Sequence, residues 1–189
     1  MCGRYQFTAG SDDMSAAIVD MLDRRYPGEY KTGEIFPGDA APAVISDGGR
    51  IVAVPAIFGF PGYQDGKFLI NARSETAAQK MTFSESLRER RTVLPASGFF
   101  EWSRDAKKTK YLFTVGGENL IYLCGVYKIV DGKHRFAILT RDANASMIET
   151  HDRMPITIGR EAVRPYLTEY ETAIDLISAA SPMLSREPA

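Results

Sequence analysis

Apolar residues along this chain fall in short runs separated by Gly, Pro and Asp, a rhythm of strands and tight turns rather than of long helices. Residues 5–7 predict a short strand close behind Cys2. Gly10-Ser11-Asp12-Asp13 predicts a helix start, followed by Ala16, Ala17, Ile18, Met21 and Leu22 as an apolar stripe at helical spacing, with Pro27-Gly28 ending it. The runs Ala43-Val44-Ile45 and Ile51-Val52-Ala53-Val54 are punctuated by Pro37-Gly38 and Asp47-Gly48-Gly49, which predicts antiparallel hairpins between residues 35 and 60. Residues 61–66 read as a surface loop. Residues 68–70 form a strand that delivers Asn71-Ala72-Arg73-Ser74-Glu75, and residues 83–90 a short helix.

Further strands are expected at residues 94–102, 111–115, 120–127 and 135–140, the last two separated by a turn at Val130-Asp131-Gly132. Residues 144–150 predict a helix, 155–158 a strand, and 161–177 a helical segment interrupted at Pro165, where the missing N–H breaks the ladder. The final residues read as a frayed tail. A sheet therefore sits at the centre, and the class is α+β in a single domain over residues 1–189.

Composition narrows the function. At 189 residues with 44% hydrophobic and 25% charged content, the chain suffices for one core. A net charge of -1 excludes an indiscriminate coating of nucleic acid, so any such contact must be a local patch. The two cysteines, Cys2 and Cys124, are too few for a disulfide framework and lack metal-ligand spacing, which points to a reducing cytoplasm and no metal. Cys124 lies in an apolar run and reads as a core thiol. Nothing resembles a secretory leader or a membrane span, so no membrane partner is expected.

Four polar groupings interrupt the apolar strands: Arg4 beside Cys2; Asn71 with Arg73 and Glu75; Glu101 beside Trp102; and Thr150-His151-Asp152-Arg153. Glutamate is seldom buried without a partner, and burial would raise Glu101 toward the range useful for proton transfer; an alternating strand would instead turn it to water. His151 suits either a structural hydrogen bond or proton transfer, whereas His134 in a hairpin is expected to face solvent. Arg73 and Arg153 are open to two uses, ordinary ion pairing or bidentate phosphate contact.

Cys2 carries the sharpest chemistry. Once Met1 is removed, it presents a thiol and a free α-amine on adjacent carbons. An aldehyde attacked by the amine gives an imine, and closure by the thiol gives a thiazolidine. While Met1 remains, the amine is locked in a peptide bond.

Met1-Cys2-Gly3-Arg4-Tyr5, Ile70-Asn71-Ala72-Arg73-Ser74-Glu75-Thr76, Leu94-Pro95-Ala96-Ser97-Gly98-Phe99-Phe100-Glu101-Trp102 and Thr150-His151-Asp152-Arg153-Met154-Pro155 stand in the order and spacing of one family. Over residues 2–158 the chain resembles the SOS-response-associated peptidases, or SRAP domains, which process abasic sites; residues 159–189 read as a helical extension. The resemblance implies curled antiparallel sheets forming a barrel-like core, flanked by short helices, in a monomer that needs no cofactor. It implies a thiazolidine DNA–protein crosslink between Cys2 and the ring-opened aldehyde of an abasic site in single-stranded DNA, shielding the lesion during the damage response, with lyase-like activity and nucleoid association on damage.

By the same resemblance, Asn71 would orient the Cys2 backbone, Glu101 would handle protons at the α-amine, and His151 would act as general acid on the sugar oxygen. Arg4, Arg73 and Arg153 would hold phosphates, with Thr150, Tyr63 and Trp102 completing the DNA contacts. Where the family places a tryptophan-rich stretch, this chain has Ile57-Phe58-Gly59-Phe60-Pro61-Gly62-Tyr63, with Phe58 reading as core and Tyr63 as the stacking candidate. The family's name reflects self-processing at Met1, and an aminopeptidase could equally remove it. Two alternatives remain at this level: an N-terminal cysteine amidohydrolase acting on glutamine, and a non-catalytic single-stranded DNA-binding module.

Overall fold

The computed structural model describes residues 2–62, 64 and 66–189. In chain order the elements are β1 (Arg4–Phe7), α1 (Asp13–Arg25), β2 (Gly33–Ile35), β3 (Ala40–Asp47), β4 (Arg50–Phe58), β5 (Phe60–Pro61), β6 (Phe68–Leu69), β7 (Asn71–Arg73), α2 (Ser74–Ala77) and α3 (Ser84–Glu89). They continue with β8 (Arg91–Ala96), β9 (Gly98–Trp102), β10 (Lys110–Val115), β11 (Ile121–Val130), β12 (Lys133–Asp142), β13 (Arg153–Pro155), β14 (Thr157–Ile158), α4 (Arg160–Thr168), α5 (Tyr170–Ser178) and β15 (Leu184–Pro188).

Strands β4, β3, β8, β11 and β12 follow one another as neighbours, and β12 pairs with both β11 and β4, so this set closes on itself as a ring. The β12–β4 contact is parallel and the others antiparallel. Closure gives each of these strands a neighbour on both sides, over two or three residue pairs at the β3–β8 and β4–β12 contacts, and the whole of β8 and the first seven residues of β11 are buried. A second sheet, ordered β15-β10-β9-β1-β2, packs beside the ring, with β1 held between β9 and β2. The expected α+β class with a curled, barrel-like core is thus the observed one.

Local chemistry explains most elements. Asp12 caps α1 by accepting from the Ser15 amide, while the Ser15 hydroxyl receives the Asp12 amide, satisfying two donors that the first turn leaves open. The β3–β4 turn uses Gly48 and Gly49 at φ of +55° and +81°, the left-handed pair that a tight hairpin requires. Phe58 is fully buried and stacks on Phe136 at 4.9 Å, contributing about 1.5–3 kcal/mol by burial alone.

Several expectations are corrected. The segment 94–102 is not one strand: the chain leaves the ring at Ser97 and enters the second sheet as β9. Gly98 permits this, since a Cβ there would lie 2.6 Å from the Phe113 carbonyl oxygen. Residues 145–150 form hydrogen-bonded turns rather than a helix, and 155–158 splits into the last residue of β13 and the whole of β14. Pro165 sits inside α4, and the interruption falls at Glu169, whose extended φ of -121° and ψ of 113° separate α4 from α5. On α1 the buried face is Ser15, Ile18 and Leu22, with Ala16, Ala17 and Met21 outward. His134 is half-buried against the Tyr127 ring. The tail is not frayed: β15 pairs with β10 from Tyr111 to Val115, covering what would be an exposed sheet edge.

Candidate functional site

Cys2 lies at the seam between the two sheets. Its approach is fixed by β1, where Arg4, Tyr5 and Gln6 pair with Phe100, Phe99 and Gly98 of β9. Alternation sends Tyr5 and Phe7 into the core, so the strand is anchored by fully buried aromatic rings close to the nucleophile. Asn71, at the start of β7, is registered against Ile138 of β12 and so is attached to the ring from outside its five strands. Its Nδ2 donates to the Cys2 carbonyl oxygen at 3.2 Å, a side-chain tie from one sheet to the chain end of the other.

Cys2 is fully buried, with its thiol 3.7 Å from the Arg4 carbonyl oxygen. Burial pushes the thiol far above the ordinary cysteine range, and the negative charge of Glu101 pushes it further. The thiol is therefore protonated at neutral pH. Glu101, on β9, is buried although its neighbours Phe99 and Phe100 are apolar, and its Oε1 accepts from the Trp102 amide at 3.4 Å.

His151 ends the turns that precede β13. Its amide donates to the Met147 carbonyl, and its Nδ1 accepts from the Arg153 amide at 2.9 Å. An imidazole that accepts at Nδ1 carries its proton on Nε2 when neutral. Burial holds its pKa below the ordinary histidine value, the positive chain terminus adds to this, and Glu101 opposes it. Glu101 thus acts electrostatically on both Cys2 and His151, and Asn71 bonds to Cys2. The four side chains expected to share the chemistry come together from β7, β9, the β1 approach and the β12–β13 connection.

The expected DNA contacts are placed less uniformly. Arg4 lies between the rings of Phe36 and Trp102, at 4.3 and 4.9 Å from their centres, and pairs with Glu34 at 3.4 Å. Lys110 meets both Glu34 oxygens at 2.9 Å and lies over Phe100, while Lys31 lies over Phe36. A patch of cations and aromatic rings therefore borders Cys2, with Glu34, and Asp39 at 2.8 Å from Lys31, offsetting part of its charge. Arg73 is exposed at the end of β7. Tyr63 lies outside the described residues, as does Met1.

Arg153 and Thr150 face inward. Arg153 is buried, donating to both Glu75 oxygens at 2.8 Å, to Asp142 at 2.6 Å and to the Thr140 carbonyl at 2.7 Å. Of the two uses open to an arginine here, the geometry is that of an ion pair. Thr150 is buried, and its hydroxyl accepts from Arg186 of β15 at 2.8 Å. Sequence reasoning missed Arg186, Lys110, Glu34 and Phe36, none of which has a local signal pointing to Cys2. No group of three or more His, Cys, Asp or Glu among the described residues is arranged to hold a metal ion. Nor is any helix of the described residues long and apolar enough to cross a membrane.

Comparison with known proteins follows this geometry. The family described as "SOS response associated peptidase (SRAP)" matches residues 1–187. Among individual relatives, the chain is 29% identical to the abasic site processing protein YoaM of Bacillus subtilis, covering 95% of this chain and 84% of that one. It is 27% identical to the abasic site processing protein YedK of Escherichia coli, over 89% and 80% of the two chains. A crystal structure of a Bacteroides thetaiotaomicron protein shares the fold at a TM-score of 0.76 and 18% identity, covering 99% of this chain and 91% of that one. A phage-related protein of Bordetella bronchiseptica does so at 0.75 and 22%, covering 100% and 94%.

Proposed function

The chain belongs to the SOS response associated peptidase family, and from that membership and the cluster around Cys2 we propose that it processes abasic sites in single-stranded DNA by a covalent bond to its own N-terminal cysteine. The relatives named as abasic site processing proteins support the substrate. The observation that carries the chemistry is the Asn71 hydrogen bond to the Cys2 carbonyl, which fixes the chain end beside Glu101 and His151.

The protonated thiol sets the order of events. After Met1 is removed, the Cys2 α-amine attacks C1′ of the open-chain sugar, giving a carbinolamine. His151, once it has taken up the proton that the Cys2 α-ammonium loses and carries one on each nitrogen, stands as the acid that gives its Nε2 proton to the sugar oxygen and assists departure of water, leaving an imine. The thiol then adds to the imine carbon: the new bond is S–C1′, and the thiol proton passes by way of Glu101 to the imine nitrogen. The product is a thiazolidine and one water, with no change of oxidation state. Holding both nucleophilic atoms on one anchored residue removes the entropy cost of a second encounter.

The patch of Arg4, Lys110 and Lys31 with Phe36 and Trp102 supports a single strand passing Cys2, since backbone charge and unstacked bases are met by cations and ring faces. Incubation of Met1-free protein with an abasic single-stranded oligonucleotide gives a denaturation-resistant adduct whose mass is the sum of the two less one water. Cys2→Ala gives none. A Met1-free protein that forms no adduct refutes the proposal.

A further inference from the structure

Two groups compete for one nitrogen of His151. Nδ1 lies 2.9 Å from the Arg153 amide nitrogen, which donates to it, and 2.8 Å from Asp152 Oδ1, which can only accept. Both contacts cannot be hydrogen bonds at once. With Nδ1 unprotonated, the Arg153 amide is satisfied and the carboxylate faces a lone pair; with Nδ1 protonated, the carboxylate takes the proton and the amide loses its acceptor.

We infer that Asp152 is a positioning residue that lets His151 work in both directions, by accepting the Nδ1 proton whenever Nε2 must be free. In the resting form the proton is on Nε2, which donates a hydrogen bond, and the ring becomes an acid only when Nδ1 is protonated as well. Having donated from the doubly protonated ring, His151 is left with its proton on Nδ1, held by Asp152, and Nε2 is then a base. Without that carboxylate the neutral ring returns to the form fixed by Arg153, whose Nε2 can donate a hydrogen bond but cannot take up a proton as a base. Arg104, which reaches the same Asp152 oxygen at 3.4 Å, draws the carboxylate's charge away from the ring. The charged groups acting on His151 are Glu101 from β9, Arg104 from the connection after it, Asp152 beside it, and the positive chain terminus.

Asp152 is two-thirds exposed and Arg104 about half, so each can be changed without disturbing the core. The test follows the imidazole directly, by long-range proton–nitrogen correlation spectra of the full chain across pH. With only two histidines, His134→Gln assigns the signals. In Asp152→Asn the His151 midpoint falls, because the carboxylate charge is gone, and the amide now donates to Nδ1 and holds the proton on Nε2. In Arg104→Gln the midpoint rises. The adduct-forming rate on an abasic oligonucleotide falls about fivefold in Asp152→Asn, with DNA affinity unchanged, as expected for losing one partly exposed electrostatic partner of a proton-transfer group.

An unchanged or raised midpoint in Asp152→Asn overturns the inference, as does a wild-type rate in that variant. The rate readout rests on the covalent function proposed above and the titration does not. Wild-type protein that forms no adduct but shows the shifted midpoints would defeat the function and leave the coupling standing.

Discussion

Replacing Arg153 with alanine separates a structural ion pair from a phosphate contact. The guanidinium is buried and donates to Glu75, Asp142 and the Thr140 carbonyl, joining α2, the end of β12 and β13. Removing one partner of a fully buried pair costs about 3–5 kcal/mol. Here the Glu75 and Asp142 side chains are 45% and 87% exposed, so water takes over much of what the arginine supplied. The buried remainder is the Thr140 carbonyl and the packing of the arginine stem, which places the net loss at about 2–3 kcal/mol. For a chain of 189 residues this lowers the melting temperature by roughly 5–10 °C.

Urea unfolding gives the same quantity independently, and its pH dependence adds a sign. The hydrogen bond from Arg153 holds the Glu75 carboxyl below the usual carboxylate range. A depressed folded pKa contributes stability above the unfolded value of about 4.3 and loses it as pH falls through the folded one. The gap between wild-type and Arg153→Ala stabilities should therefore narrow in acid, without closing, since the Thr140 contact and the stem packing do not titrate. A variant within about 0.5 kcal/mol of wild type, whose DNA affinity nonetheless falls with a salt slope smaller by about one, would refute the reasoning and assign the side chain to a phosphate.

Three further outcomes are expected. Asn71→Ala removes the tie to the Cys2 carbonyl and should slow adduct formation about tenfold while costing only about 1 kcal/mol of stability, read by timed gel assays and thermal melts. Gly98→Ala places a Cβ 2.6 Å from the Phe113 oxygen and 2.8 Å from Leu112 Cδ1, and should destabilise by about 1–3 kcal/mol in urea unfolding. Deleting residues 184–189 bares β10 and takes Arg186 from Thr150; concentration-dependent association by light scattering is the expected result, and a monodisperse truncated chain would contradict it.

What the sequence disclosed follows the range of the interactions. Turns and caps were legible because their causes are local: the glycine pair at 48 and 49, and Asp12 with Ser15. The switch of sheets at Ser97 was not, since an unbroken apolar run serves either sheet and the choice rests on contacts with β10. Pro165 was misread because α4 carries it at its sixth position without ending there, and Glu169, an ordinary helix residue, breaks the segment through its own backbone angles. That Asn71 meets Cys2 was suggested by motifs and not by spacing, since Asn71 lies 69 residues from the carbonyl it holds. Arg153 could not be sorted by sequence because its main partner, Glu75, is 78 residues away.

Closure of the strand ring fixes a timetable. The pairing of β12 with β4, which joins His134 to Ala56, cannot form until the second half of the chain exists, and such long-range pairing is slow. Cys2 thus leaves the ribosome well before Glu101 and His151 are beside it. An aminopeptidase acting on the nascent chain would meet a bare, extended end, whereas any self-cleavage relying on those two side chains must wait until the ring is complete. Sampling the end group during synthesis and again after folding tells the two routes apart by their timing alone.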